Sequence, residues 1–152
     1  MEEFNTIEKV KKSFENINAL GSDNAFFVAC QDKQKVSGMV AGMEYPYDGL
    51  LINDSEKGIG MFYLKGSALS GLITLSSPSK MKLDKENHIF IPIDNIKEIK
   101  IKNFALLNSK TKRIEINTLD GKSHKLYANV EEKDFPYHKE NFAKFIEKYQ
   151  NK

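Results

Sequence analysis

The sequence has a single cysteine, Cys30, which lies in the apolar run AFFVAC. One thiol excludes a disulfide framework within the chain and a metal site built on cysteines. This cysteine usage is typical of a reducing compartment. A lone cysteine in an apolar run behaves as a small hydrophobic residue, so we expect Cys30 to be buried rather than reactive.

A long apolar run is also missing. The best candidate for a membrane span, residues 59–77, is interrupted by Lys65 and diluted by serine and glycine, whereas a spanning helix needs about 20 predominantly apolar residues. The first residues are charged from the second position and lack the apolar core of a secretory signal. We therefore expect a cytoplasmic protein.

Familiar catalytic and metal-binding motifs are absent as well. The three histidines, His88, His124 and His138, show neither HxH nor HxxxH spacing, and we expect each to be an exposed polar residue. The chain has no GxSxG, GxGxxG or Walker-type sequence. The sequence thus predicts a protein that is not an enzyme and needs no cofactor or metal. An enzyme with an unfamiliar site is the less favoured alternative.

The charge that is present is unevenly distributed. The net charge is +2, yet residues 1–79 carry seven basic and ten acidic residues, while residues 80–127 carry 11 basic and six acidic residues. The candidate basic face in this middle region consists of Lys97, Lys100, Lys102, Lys110, Lys112 and Arg113. Such a face attracts phosphates or anionic lipids, although the solvated side of a strand is the simpler interpretation. Nucleic acid is disfavoured because only Phe104 is interleaved with these charges.

Two segments have the apolar spacing of amphipathic helices. The stripe from Phe4 to Ile17 predicts an N-terminal helix within residues 1–20, and the stripe from Phe142 to Tyr149 predicts a C-terminal helix over residues 136–150. The first helix either docks on its own domain or pairs with a second copy, so a homo-oligomer through this helix is an alternative.

Alternation of apolar and polar residues predicts strands between the helices. Residues 49–53 and 59–66 flank a polar segment and predict a hairpin, and residues 68–76 predict a further strand. Residues 36–43 are ambiguous between a bent strand and a loop.

The stretch HIFIPIDNIKEIKIK at residues 88–102 sets isoleucines against lysines, which indicates strands with one buried and one solvated face. Pro92 cannot donate to a ladder and favours an edge or a strand end. Asp120-Gly121, between two further alternating runs, predicts a tight hairpin turn. Residues 103–112 indicate a loop or a broken strand, and Phe104, Leu106 and Leu107 are the apolar residues that could anchor it to the core.

These elements predict one domain over residues 1–152, with a helix at 1–20, a β-rich barrel at 25–128 and a capping helix at 136–150. The fold class is mainly β (α+β), a small curled barrel of about seven strands. Over roughly residues 49–149 the chain resembles the pleckstrin-homology-like superfamily, in particular its bacterial and GRAM-type members. The resemblance rests on IPIDNIKEI at 91–99, on RIEI at 113–116 with DGK at 120–122, and on the terminal helix.

The resemblance implies a PH-like scaffold that binds phosphoinositides, peptides or other proteins, and fold alone does not choose among them. Lipid-binding members hold phosphates with basic residues near the first hairpin, but residues 54–58 are mixed in charge here. We therefore expect a binding module for a protein or peptide, engaged by an exposed sheet edge or the N-terminal helix. The alternative is a peripheral membrane protein that places the basic face on anionic lipid.

Overall fold

The residues that the structure describes form a seven-stranded antiparallel sheet with one helix before it and one after it. The structure, a computed structural model, describes residues 6–32, 47–65, 82–132 and 135–150. The elements in chain order are α1 (Ile7–Asn16), β1 (Asn24–Asp32), β2 (Tyr47–Ser55), β3 (Gly58–Lys65), β4 (Lys82–Pro92), β5 (Ile96–Ala105), β6 (Asn108–Thr118), β7 (Ser123–Asn129) and α2 (His138–Gln150). The predicted mainly β class with a helix near each end is confirmed. The segments predicted at 36–43 and 68–76 lie outside the described residues.

The sheet is open in the described part of the chain. Its strand order is β4-β3-β2-β1-β7-β6-β5, so β4 and β5 are its two edges. A 3₁₀ turn at Ile93–Asn95 joins these two strands, but they do not pair with each other. The predicted closed barrel is therefore not confirmed, whereas the expectation that Pro92 marks an edge and a strand end is confirmed.

Period-two alternation gives the sheet two apolar faces. On β1, Phe26 and Val28 belong to an outer cluster that packs under α1. Phe27 and Ala29, which alternate with them, belong to an inner cluster that packs under α2. Strands β1 to β3 are thus buried on both sides, while β5 and β6 bury mainly the inner face and β7 buries Tyr127 on the outer face as well.

Helix α1 docks on the outer face of its own sheet. Val10 and Phe14 are fully buried there, and Gly60 on β3 makes the close approach possible, since a Cβ atom at this position would lie 2.9 Å from Cβ of Ala19. The apolar stripe is thus used within the chain, which favours the intramolecular alternative. Pairing with a second copy stays a prediction that a measurement of molar mass in solution would check.

The predicted hairpins form, with two differences. The β2–β3 hairpin is confirmed, and Gly58 following its turn has a positive φ of +139°. The β6–β7 connection is longer than a tight turn and spans residues 119–122. The N–H of Lys122 donates to Oγ1 of Thr118 (3.0 Å) and closes this loop. Gly121 has the expected positive φ, +93°.

The expectation for residues 103–112 is wrong in one important respect. The broken-strand alternative agrees with the β5–β6 hairpin, whose register shifts between Asn103 and Ala105 before Ala105 lies opposite Asn108. Leu106 and Leu107 form its tip and are 94% and 96% exposed, so they do not anchor the loop. They are exposed because the hairpin extends past the end of β7, and none of the described residues covers the tip.

Candidate functional site: a groove beside the β5 edge

Strand β5 presents its free edge to a groove. On one side it pairs with β6, and in the described residues its other side has no strand partner. The groove has a volume of about 750 Å³. Its lining consists of Ile93, Ile96, Lys97, Glu98, Ile99, Lys100, Ile101, Lys102, Tyr149 and Gln150. Consecutive residues of one strand line it, as expected for a cleft that runs along a strand edge.

The two sides of β5 differ in polarity. Ile99 and Ile101 are half-buried and pack against the inner cluster together with Tyr149 of α2. Lys100 and Lys102 alternate with them and are exposed on the outer face. The groove therefore has an apolar inner wall and a basic outer rim.

Helix α2 is held over the inner face by buried polar contacts as well as by Phe142 and Phe145. At its first residue, Nδ1 of His138 accepts from the N–H of Val28 (3.2 Å). Nε2 therefore carries the ring proton and donates to the carbonyl of Asn129 (2.6 Å). His138 thus joins β1, β7 and α2 at one point.

His138 is fully buried, so the expectation that it is an exposed polar residue is wrong. Burial lowers the pKa of His138 to about 4, opposed by its hydrogen bond to Asn129, and the imidazole is neutral at pH 7. A signal in the sequence was available, because His138 precedes Phe142 and Phe145 by four and seven residues and lies on the same helical stripe. His88 is exposed as expected, and His124 is only partly exposed.

The other end of α2 is fixed by Asp54 of β2. Its carboxylate is buried and accepts from Nζ of Lys148 (3.0 Å) and from Oη of Tyr149 (2.8 Å). Desolvation raises the pKa of Asp54, and the hydrogen bonds from Tyr149 and Lys148 oppose this shift. Because Asp54 fixes its hydroxyl group, Tyr149 has a defined position at the groove.

The structure brings together only part of the predicted basic face. Lys100, Lys102 and Arg113 share the outer face, with Lys102 directly opposite Arg113. Their surface also holds acidic groups: Nζ of Lys100 lies 3.8 Å from a carboxylate oxygen of Glu98. The pKa of Glu115 is lowered by a hydrogen bond from Asn117 and by the charges of Lys100, Lys125 and Arg113.

The remaining three basic residues lie elsewhere. Lys112 is on the inner side, where its Nζ donates to Oδ1 of Asn103 (2.7 Å). Lys97 is at a bulge of β5, beside the groove. Lys110 is near the hairpin tip, next to Val130. The six residues surround the β5–β6 hairpin rather than forming one flat surface.

Other site chemistry is limited in the part of the chain that the structure describes. Cys30 is buried, as expected. Among the described residues, no group of three or more histidine, cysteine, aspartate or glutamate side chains is placed to hold a metal ion. None of the described helices has the length and apolarity to cross a bilayer.

The fold and the groove define a mainly β protein whose antiparallel sheet carries a helix on each face. Among the described strands, the β5 edge is open beside one of these helices. Comparison of the chain with models of protein families, with curated proteins and with solved structures gives no match. Function is therefore inferred from the geometry of the site.

Proposed function

We propose that the protein is a non-enzymatic binding module with a PH-like scaffold, and that it holds an extended peptide segment of a partner protein along β5. The observation that carries this proposal is the open edge of β5 beside the groove at Tyr149. An unpaired strand edge presents a row of N–H and C=O groups that an added strand satisfies.

The two walls of the groove indicate the chemistry of the peptide. Side chains of an added strand alternate between the two faces of the sheet. Those directed inward would contact Ile99, Ile101 and Tyr149, and those directed outward would lie beside Lys100 and Lys102. A segment that alternates apolar and acidic residues fits this arrangement.

Three features support a PH-like scaffold. Among the described residues, the sheet consists of two runs of antiparallel neighbours that are consecutive in the chain, β1 to β4 and β5 to β7. The last hairpin carries Asp120-Gly121, and α2 packs Phe142 and Phe145 on the inner face. Curling of the sheet toward a barrel, with the groove between its edges, belongs to this proposal.

Peptide selection followed by mapping tests the function. We would select a phage-displayed random peptide library on the whole chain and titrate the selected peptides into isotopically labelled protein. The expected result is enrichment of alternating apolar and acidic residues, with the largest amide shift changes at residues 96–102 and 149–150. Selected peptides that instead perturb α1, or a selection that yields no binder, would contradict the proposal.

Charge reversal on the rim provides a matched comparison. Each exposed ion contact is worth up to about 1 kcal/mol, so K100E together with K102E should weaken binding of a selected peptide by about tenfold. The control is K11E together with K12E, which makes the same change of net charge at exposed residues of α1, away from β5. Equal weakening by both pairs would show that only long-range attraction operates.

A further inference from the structure

The tip of the β5–β6 hairpin is the most exposed apolar feature among the described residues. Leu106 and Leu107 are adjacent and almost fully exposed. By comparison, Leu119, at the opposite end of β6, is 65% exposed. Single exposed apolar residues are common on soluble proteins, but two adjacent leucines at the outermost point of a hairpin form a convex apolar end.

The parts of β5 and β6 nearest to this tip carry basic residues and no acidic ones. Residues 99–114 contain five lysine or arginine residues and no aspartate or glutamate. Lys102 and Arg113 extend from the outer side of the hairpin and Lys112 from the inner side, so positive charge surrounds the strands behind the leucines.

Two acidic residues, Glu131 and Glu132, follow β7 on the side of the hairpin where Lys110 lies. Glu131 lies near Lys110, and its carboxylate is 3.6 Å from Nζ of Lys139. Glu132 accepts from Nδ2 of Asn129 (3.0 Å). Even with both carboxylates counted, the five basic residues of the hairpin leave this end of the molecule net positive.

The geometry fits the surface of an anionic bilayer. Because a strand rises about 3.4 Å per residue, Lys102 and Lys110 begin about 10–14 Å behind the leucines. An apolar element that lies at a membrane interface enters it by about 5–10 Å. Leucines at that depth place the basic side chains, which are long and flexible, at the level of the lipid phosphates. A convex tip needs no complementary pocket, which distinguishes a fluid bilayer from a protein partner.

We propose that the β5–β6 hairpin is a membrane-contacting element that inserts Leu106 and Leu107 into an anionic lipid surface, with Lys102, Lys110, Lys112 and Arg113 contacting the headgroups. This inference goes beyond the peptide groove and does not depend on it. It differs from a flat basic face in requiring the two leucines as well as the charge.

Vesicle flotation tests the requirement for both components. The wild-type chain should float with phosphatidylcholine vesicles that contain phosphatidylserine, and much less with phosphatidylcholine alone. L106S together with L107S should lower the partition coefficient by about tenfold or more, and K110A together with K112A by roughly fivefold per lysine. The matched controls, L119S and the pair K122A and K125A, should change it by less than twofold.

Three results would overturn the proposal: no flotation of the wild type with either vesicle, equal flotation of L106S/L107S and wild type, or equal loss in L119S. A protein partner at the tip, instead of lipid, gives the first of these results. Thermal unfolding of each variant by circular dichroism verifies that folding is intact, and these surface changes should leave it unaltered.

A fluorescence measurement tests insertion directly. The chain contains no tryptophan, so L106W introduces a single reporter that keeps the tip apolar. Its emission should shift to shorter wavelength on addition of anionic vesicles and should be quenched by brominated lipid, whereas L119W should show neither effect. Binding without a shift in L106W would establish a purely electrostatic contact and overturn insertion.

Discussion

At the scale of single residues, His138 is one of the buried polar groups that position α2. Its ring satisfies one N–H of β1 and one carbonyl at the end of β7. H138A would leave both of these backbone groups without this partner, and a buried unsatisfied group costs about 1–3 kcal/mol. We expect H138A to lower the free energy of unfolding by about 2–4 kcal/mol in urea titrations. H88A, at an exposed histidine, is the control and should cost less than about 1 kcal/mol.

The same residue predicts how stability depends on pH. The pKa of His138 is about 4 in the folded protein, against 6.5 for an ordinary histidine. The unfolded chain therefore binds more protons between these values, so the contribution is complete above about pH 6.5 and declines as the pH falls toward 4. The loss is on the order of 3 kcal/mol over this window.

Comparison with a variant isolates this effect from other groups. The raised pKa of Asp54 acts in the opposite direction, because it makes the folded state the better proton acceptor. H138Q removes the titration at residue 138, so the wild type should lose more stability than H138Q between pH 7 and 4.5. An NMR titration in which the His138 imidazole titrates near pH 6.5 would contradict this prediction.

Gly60 allows α1 to approach the sheet closely. A Cβ atom here would lie 2.9 Å from Cβ of Ala19 and 3.2 Å from the ring of Phe14. We expect G60A to lower the free energy of unfolding by about 1–3 kcal/mol, as overpacking does elsewhere. A19G removes one of the two contacts, so G60A in an A19G background should cost less than G60A alone, and an unchanged cost would show that Ala19 is not the obstacle.

At the scale of elements, side chains of α2 provide hydrogen-bond acceptors for the part of β1 that does not pair with β7. In the described residues, β1 pairs with β7 at Cys30 and Gln31. Nearer the start of β1, side chains of α2 accept hydrogen bonds from its backbone. The N–H of Phe26 donates to Oδ1 of Asn141 (3.2 Å), while that of Val28 donates to His138. Side chains of the helix thus satisfy backbone N–H groups of β1 where β1 and β7 separate.

Hydrogen exchange should reveal this substitution residue by residue. N141A should accelerate exchange of the Phe26 amide by about tenfold or more, because its acceptor is lost, while the Val28 amide changes little. H138A should accelerate exchange of the Val28 amide, while the Phe26 amide changes little. Uniform acceleration of both amides in either variant would indicate general loosening of α2 instead of loss of one acceptor.

At the scale of the whole molecule, the outer and inner clusters share the same strands. Strands β1 to β3 contribute alternate residues to both clusters, as Phe26 and Phe27 illustrate. Disruption of one face therefore displaces the backbone that supports the other. This arrangement predicts that α1 and α2 unfold together with the sheet.

Two core variants test this coupling. F14A in the outer cluster and F145A in the inner cluster should each lower the free energy of unfolding by about 3–5 kcal/mol. In urea titrations followed by NMR, signals from Val10 and Phe142 should disappear at the same midpoint in the wild type and in both variants. Separate midpoints for α1 and α2 would show that the faces are independent.

Much of the secondary structure could be predicted from the sequence because its causes are local. The apolar runs of β2 and β3, the alternation along β6 and the stripe of α2 all involve residues within four positions of one another. Alternation and a helical stripe also define the side of the element that must be buried. The turn glycines, Gly58 and Gly121, were recognisable for the same reason.

The sequence by itself determined the class of elements, the apolar face of each, and the concentration of positive charge in the middle of the chain. Only the tertiary structure decided that His138 is buried where β1 and β7 separate. It likewise decided that, among the described residues, β5 has an open edge beside Tyr149 and nothing covers the tip at Leu106 and Leu107. These features depend on which distant segments lie side by side, and no local periodicity encodes that: an isoleucine strand looks the same in the sequence whether its edge is paired or free.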